Sequence, residues 1–351
     1  MANPSPLHER FRKDALPSIP YGQQVQLAAH HGSAEIEYAA MRKAVGVMDC
    51  PDRGLLRLQG ADRLDFLQRM VSNDCATLEP LQPRRCFLLN HQGRIQADLT
   101  LIDDGEQTWI DLDVHQAASV AEEFDKMLFG EDAQVADVSA AMHRLSLHGP
   151  EADQAAPFIE KPSVFAYRFD QVAGPGLHHW LPADQVAGAW ETLMEQAKPL
   201  RLKPAGWLAF NIARIEGGRP LFHIDYGPNS LPHETGVLAE TVSFTKGCYR
   251  GQEVVARMES LGHPAKLLIA FSGTGTRVPV ESTPLLATVD GNEEPVGAIT
   301  SSTFSPRRSG APIGFGVVKW KHHEPGTPLI APAEGGRVDL TVCTFDELGS
   351  V

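Results

Sequence analysis

Cys248 lies two residues from Lys246 and two from Arg250, in the run Lys246-Gly247-Cys248-Tyr249-Arg250-Gly251-Gln252-Glu253. A helix is expected over Gln252 to Glu259, directly after the cysteine. Flanking cations and a helix N-terminus both favour thiolate over thiol, the form that attacks electrophiles and accepts metals. Without such surroundings a free cysteine behaves as a small buried apolar group. One thiolate cannot hold a cluster alone, so any metal role for Cys248 is transient or shared with a partner. Gly247 and Gly251 let the backbone turn tightly around the thiol, and Tyr249 offers a ring for packing or stacking. Arg250, like Arg257 on the expected helix, is suited to binding carboxylates.

Two carboxylates stand on expected strands, Asp98 within Arg94 to Ile102 and Asp113 at the end of Thr108 to Asp113. Charged strand residues are ordinarily solvated. Arg214 and Glu216 follow a helix expected over Ala205 to Ala213 and can pair with each other. The pairs His30-His31, His178-His179 and His322-His323 suggest no metal site, because adjacent strand residues point to opposite faces. Gly314-Phe315-Gly316 is too short for a dinucleotide fingerprint, and neither a Walker motif nor a serine-nucleophile elbow occurs.

The elements that must position these residues are legible from periodicity. Helical spacing marks Glu35 to Val45 and Ala61 to Val71, the latter with Leu64, Leu67, Met70 and Val71 on one face. Leu55 to Leu58, Arg85 to Leu89, Arg94 to Ile102 and Thr108 to Asp113 read as strands separated by turn residues, the last three as an antiparallel meander. His115 to Phe129, with Val120, Phe124, Met127 and Leu128 on one side, is expected to cover that sheet. Strands follow at Met142 to Leu147, Val164 to Val172 and Leu177 to Leu181. A helix then buries Val186, Trp190, Leu193 and Met194. Beyond Glu259 the pattern becomes four short strands, Lys266 to Phe271, Pro295 to Ser301, Ile313 to Trp320 and Arg337 to Thr344, as in a small all-β barrel. The first twenty residues, interrupted by prolines, are expected to lie extended on the surface.

The 351 residues suggest two or three domains. With 42% hydrophobic and 21% charged residues the composition is that of a folded globular chain. His8, Glu9, Arg10, Arg12 and Lys13 stand where a signal peptide needs an apolar run, and no stretch stays apolar for the roughly 18 to 20 residues of a spanning helix. A soluble cytoplasmic protein is expected, without membrane partners. The five cysteines are odd in number and form no Cys-x-x-Cys pair, which argues against a disulfide framework or a self-contained metal centre. The net charge of −13 disfavours direct nucleic-acid binding.

The octapeptide around Cys248 resembles the signature of YgfZ-type folate-binding proteins, which are related to the glycine-cleavage T-protein. The similarity continues in Gly93-Arg94-Ile95-Gln96-Ala97-Asp98-Leu99, Arg214-Ile215-Glu216-Gly217-Gly218 and Leu231-Pro232-His233-Glu234. It extends to Val296-Gly297-Ala298-Ile299-Thr300-Ser301 and Phe304-Ser305-Pro306, and covers nearly the whole chain from about Glu35. The resemblance implies an α+β fold: a discontinuous folate-binding body with ferredoxin-like subdomains over residues 1–258, and a C-terminal all-β barrel over 259–351. It implies a cavity for tetrahydrofolate or a derivative, with Asp98 and Cys248 as reactive groups. Asp98, Asp113, Glu216, Lys246, Tyr249 and Arg250 are the expected folate contacts, and no metal ligands are expected.

The implied role is an accessory one, supporting iron–sulfur cluster assembly or repair, with effects on tRNA modification through cluster-dependent enzymes. Expected partners are reduced folate and iron–sulfur proteins or their assembly factors. The alternative is a tetrahydrofolate-dependent aminomethyltransferase of the T-protein type, and a third reading is a folate-like cavity serving another small molecule. Ala97-Asp98-Leu99 keeps the second aspartate of the T-protein Asp-Asp-Leu triplet, a group suited to stabilising positive charge during one-carbon transfer. Asp113 stands where T-proteins usually carry asparagine, and it accepts but cannot donate when ionised. Leu177-His178-His179-Trp180 and Leu208-Ala209-Phe210-Asn211 replace stretches that carry a pterin-binding glutamate and an arginine. Each lost charged hydrogen bond removes about 1.5 to 3 kcal/mol.

Overall fold

The structure, a computed structural model, describes residues 4–349. Its first sheet is antiparallel, in the order Arg84–Leu89, Ile95–Asp103, Gln107–Asp113, Arg53–Gln59 and Gln134–Asp137. Strand alternation divides this sheet chemically. Ala97, Leu99, Leu101, Ile110 and Leu112 pack under helices Arg63–Met70 and Ala117–Met127, which contribute Phe66, Leu67, Val120 and Phe124. Met127, expected on the inner side, is exposed, because the helix ends there. The opposite face of the sheet carries Asp98, Thr100, Asp111 and Asp113.

The second sheet has the order Phe165–Arg168, Gly176–Pro182, Met142–His148, Gly46–Cys50 and Lys203–Pro204, the last pair parallel. Its outer face is covered by Ala152–Ala155, Pro157–Glu160 and Val186–Gln196, which bury Val186, Trp190 and Leu193 against Leu145, Leu147 and Leu181. Residues 4–20 are extended only in part. His8–Lys13 is a short helix, Leu7 is buried in this second core, and Ser18–Tyr21 pairs with Val25–Ala28 in a hairpin. Apolar anchors thus outweigh the prolines, of which Pro6 sits in a turn and Pro20 on a two-stranded ribbon.

Six strands close the C-terminal barrel in the order Lys266–Gly273, Ala311–Lys319, Asn292–Ser305, Pro284–Val289, Pro328–Ala333 and Gly336–Cys343. Two of these, Pro284–Val289 and Pro328–Ala333, extend the four expected. Each opens on a proline, which is tolerated at the first position of a strand and masks the strand signal. The helix Gln252–Leu261 runs through position 258, and the first barrel strand begins at Lys266. Body and barrel share a core of Phe87, Ile215, Tyr226, Tyr249, Leu268 and Phe315.

The two sheets of the body meet face to face through Leu55, Ile102, Trp109, Phe165, Tyr167 and Trp180. Asp111 is fully buried between them. Its Oδ2 accepts from Arg144 Nη1 at 3.0 Å, Tyr167 Oη at 2.7 Å and Trp180 Nε1 at 3.1 Å, while Oδ1 accepts from Arg53 Nε at 2.8 Å. Burial alone would raise the Asp111 pKa, but Arg53 and Arg144 overcome it and hold the carboxylate well below its usual range. A buried charge without these donors would be strongly destabilising.

His148 belongs to the same seam, 1% exposed and with Nδ1 unpartnered. Burial, assisted by Arg144, pushes its pKa down to about 3. In an unfolded chain histidine titrates near 6.5, so below about pH 6.5 the unfolded state takes up a proton that the folded state refuses. The stability contributed by neutral His148 is therefore complete above that value and is lost as pH falls toward about 3. His31 and His179, lowered to about 4 by burial, act in the same direction. We expect the melting temperature to drop between pH 7 and 5, by roughly 2–4 °C per kcal/mol lost, and His148→Gln to flatten that slope. Calorimetry showing equal pH slopes in both proteins would contradict this account.

Candidate functional site

Alternation on the first sheet and closure of the barrel leave three adjoining cavities at the centre of the molecule. The largest, about 730 Å³, lies among the N-terminal hairpin, helix Trp207–Glu216 and barrel strand Asn292–Ser305, with Tyr21, Trp207, Asn211, His223, Val280 and Ser301 in its wall. A second, about 60 Å³, is bounded by Arg53, Asp98, Asp113, Asp170, Arg219 and Glu240. A third, about 30 Å³, is bounded by His31, Cys50, Arg144 and His148, and shares Leu27 and Trp207 with the largest. Tyr21 separates the first two: its ring lines the large cavity while its hydroxyl donates to Asp113, which lines the small one.

Asp98 and Asp113, distant in sequence, are thus brought to one cavity. Asp98 is already engaged there. Arg85 donates to it from Nε at 3.1 Å and from Nη2 at 2.7 Å, and the Tyr226 hydroxyl donates at 2.5 Å. Arg85 Nη1 continues to Glu240 at 3.4 Å, Glu240 to Arg219 at 3.4 Å, and Arg219 to Asp170 at 2.8 Å. This chain of alternating charges rims the small cavity and leaves Arg219 Nε unpartnered. Asp113 accepts the His115 amide at 2.8 Å in addition to Tyr21. Burial next to Asp113 pushes the Tyr21 phenol pKa upward, so Tyr21 remains a donor.

The octapeptide packs on the same sheet face as Asp98 but is turned away from the cavity. Lys246 Nζ donates to the carbonyls of Val71 at 2.7 Å and Asn73 at 2.6 Å. Arg250 donates to the Leu89 carbonyl at 2.5 Å and to Gln96 at 2.6 Å, and pairs with Glu123 at 2.5 Å. Tyr249 is buried in the core shared with the barrel, beneath the Lys246 ammonium. Gly251 adopts φ +82°, where a Cβ would come within 2.5 Å of the Asn90 carbonyl, so the turn closes only with glycine. Lys246, Tyr249 and Arg250 therefore fasten the segment to the first sheet and do not bound the three central cavities. Both cations expected to activate Cys248 are committed to other acceptors, and Cys248 itself is exposed.

Glu216 is placed differently from the expectation as well. The helix runs Trp207–Glu216, so Arg214 and Glu216 lie inside it, and both are fully buried. They do not pair with each other. Glu216 accepts from Tyr38 at 2.6 Å, Arg42 at 3.0 Å, the Arg307 amide at 3.3 Å and the Ser305 hydroxyl. It joins the body to the barrel, whereas Arg214 binds Asp225 and Ser301, each at 2.7 Å. Sequence reasoning missed Arg85, Tyr226, Arg219 and Tyr21. Only Arg85 carried a local signal: it opposes Thr100 in the ladder and is diagonal to Asp98.

Two outcomes follow from this geometry. Glu216→Gln should lower stability by about 3 kcal/mol, since Arg42 loses its buried counter-charge, while far-UV circular dichroism stays native; a urea midpoint equal to that of the parent would refute the joint. Cys248 should take up iodoacetamide at least tenfold faster than the other four thiols, an order-of-magnitude expectation from exposure. Burial pushes Cys50 and Cys343 up to about 11 and Cys75 to about 12, and raises Cys86 well above the ordinary thiol value. Mass-spectrometric mapping showing any of these ahead of Cys248 would contradict that order.

Comparison with known proteins bears on the whole arrangement. Residues 17–170 match the GCVT N-terminal domain, and residues 266–345 match the glycine cleavage T-protein C-terminal barrel domain. The aminomethyltransferase of Caldanaerobacter subterraneus subsp. tengcongensis is 26% identical over 315 residues, covering 84% of this chain and 82% of that protein. That of Bacillus cytotoxicus is 25% identical over 340 residues, covering 91% and 90%. The crystal structure of the glycine cleavage system aminomethyltransferase T from Bartonella henselae superposes with a TM-score of 0.85 at 21% identity, over 97% of each chain, and so shares the fold. With the N-terminal domain and the barrel matched in order along the chain, and the largest cavity walled by residues of both, this protein belongs to the glycine cleavage T-protein family.

Proposed function

We propose that this chain binds tetrahydrofolate or a derivative in its central cavities and acts as a YgfZ-type accessory factor, supporting iron–sulfur cluster assembly or repair in the cytoplasm. The observation that carries the reading is the cavity arrangement. The large cavity, about 730 Å³, falls in the range of 300–1,000 Å³ used by small-molecule sites. At its inner end His31 Nε2, Arg144 Nε and His148 Nδ1 are buried without partners around the cavity of about 30 Å³. Unpaired buried polar atoms of this kind suit the nitrogen-rich head of a folate. Trp207 and Leu27 would flank the ring system, and Asn211, His223 and Ser301 would meet its polar tail. The bound folate would supply a carrier nitrogen for one-carbon units.

The engagement of Asp98 favours binding over transfer. A carboxylate held by Arg85 and Tyr226 has little freedom to follow a proton or a developing cation, and recruiting it requires the Arg85 pair to open. His178, in the stretch that replaces the glutamate-bearing one of T-proteins, is turned to Ser146 at 2.8 Å and the Phe169 carbonyl at 3.0 Å. Effects on tRNA modification would then come through cluster-dependent enzymes rather than direct nucleic-acid contact. Exposed Cys248 supplies one thiol for a shared or transient contact with an iron–sulfur partner. The aminomethyltransferase reading is favoured by the aminomethyltransferases among the relatives and by Asp98, which lines a cavity beside the large one.

Calorimetric titration with tetrahydrofolate should show saturable binding, weakened about tenfold by Asp98→Asn, the loss of one charge-assisted contact. The same variant should keep a native far-UV circular dichroism spectrum but melt several degrees below the parent, because Arg85 loses its buried counter-charge. Supplying tetrahydrofolate with an aminomethyl-loaded lipoyl carrier should yield no protein-dependent ammonia or methylene-tetrahydrofolate. Steady production of both would establish the transferase instead, and absence of folate binding would remove both readings.

A further inference from the structure

A fourth cavity, about 480 Å³, opens away from the central site, between the loop Pro80–Gln82 of the first sheet's domain and the outer side of the second sheet. Its floor is apolar, formed by Ala156, Pro157, Ala166 and Leu177, and its rim carries Gln82, Asp153, Glu160 and Arg168. His179 is part of the lining and is 2% exposed. Strand alternation places its ring on the side of Leu177, two residues earlier, and of Ala166, its partner across the ladder. Both of those residues line the same cavity.

The hydrogen bonds around the ring define its tautomer. The Ser163 hydroxyl donates to the Phe165 carbonyl at 2.8 Å, so its oxygen is the acceptor for His179 Nδ1 at 3.3 Å. The proton therefore sits on Nδ1, and Nε2 presents a bare lone pair. Nε2 is buried and has no partner in the protein. Burial also keeps the imidazole neutral, with a pKa pushed down to about 4. A buried acceptor left unpaired is unfavourable unless something donates to it. At the mouth, Leu81 adopts φ +59°, an unusual conformation for a side chain of its size, and is substantially exposed.

We propose that this groove is a second binding site, for a small and mostly apolar molecule that carries a single N–H or O–H donor directed at His179 Nε2. The volume suits such a ligand, and a groove between two domains is a common location for one. The apolar floor takes the body of the ligand and His179 fixes its orientation. Arg168 is paired with Asp153, so the rim offers no free cation for an anionic ligand.

Indole serves as the probe, because it is an apolar ring with one N–H donor and no competing acceptor. The full-length protein, labelled with ¹⁵N at histidine and ¹³C at alanine and leucine methyls, is titrated with indole, 3-methylindole and 1-methylindole. We expect nuclear Overhauser contacts from indole to the Ala166 and Leu177 methyls and a shift of the His179 Nε2 resonance. 3-Methylindole, which keeps the donor, should bind like indole. 1-Methylindole, of the same size without the donor, should bind about fivefold more weakly, as one hydrogen bond to a buried acceptor implies. His179→Phe should abolish that difference, and the comparison in the parent protein stands even where the variant does not fold. Equal affinity for the two methylindoles, contacts confined to the central cavity, or no binding at millimolar probe would each overturn the proposal.

Discussion

Asp111 accepts from one neighbouring strand of its own sheet and from three strands of the other, and the space between the sheets depends on that single carboxylate. Arg53 reaches it from the neighbouring strand of the first sheet, and Arg144, Tyr167 and Trp180 reach it from the second. The exchange replaces water around one anion with four oriented donors, two of them cationic, which is what allows a charge to sit in a packed interior. Because donors arrive from both sides, the sheets are held at a fixed separation with their polar faces opposed. The small cavities near Asp98 and His148 are spaces this separation leaves unfilled.

Body and barrel are joined by the same device. Glu216 collects Tyr38 and Arg42 from the body and Ser305 and the Arg307 amide from the barrel side, and Asp225 links Arg214 to Thr300 and Ser301. Buried carboxylates at three junctions make relative movement of the parts costly, since separating any junction strands a charge. Rigidity of this kind suits a protein that holds a ligand in a preformed site. The N-terminal hairpin is the exception. It is a two-stranded ribbon, tied near its turn through Tyr21 to Asp113 and His115, and it roofs the largest cavity. A lone hairpin is marginal by itself, which makes it the wall best able to yield to an entering ligand.

The engagement of Asp98 explains why membership in the T-protein family does not by itself assign the family's chemistry. A strand position can retain an aspartate while the residue beside it decides what the aspartate does. Arg85 and Tyr226 convert an available acceptor into one member of a charge chain extending to Asp170. Any ligand that recruits Asp98 must offer at least as much as the two contacts it displaces.

The sequence by itself determined which face each element buries. The alternation in Ile95–Asp103 and Gln107–Asp113, and the apolar stripes of Arg63–Met70 and Val186–Gln196, are local periodicities, and each predicts a buried side without reference to the rest of the chain. The motif around Asp98 and the octapeptide around Cys248 were legible as spacing, as was the change to short strands after Glu259. Only the tertiary structure decided which charged groups meet. Lys246 and Arg250 flank Cys248 in sequence, yet they bind carbonyls of Val71, Asn73 and Leu89, and Glu216 satisfies itself with a serine 89 positions later. Periodicity reports the direction of a side chain, whereas a buried ion must be neutralised by whatever partner the fold brings near. That partner is chosen by packing across elements remote in sequence, and no local pattern records it.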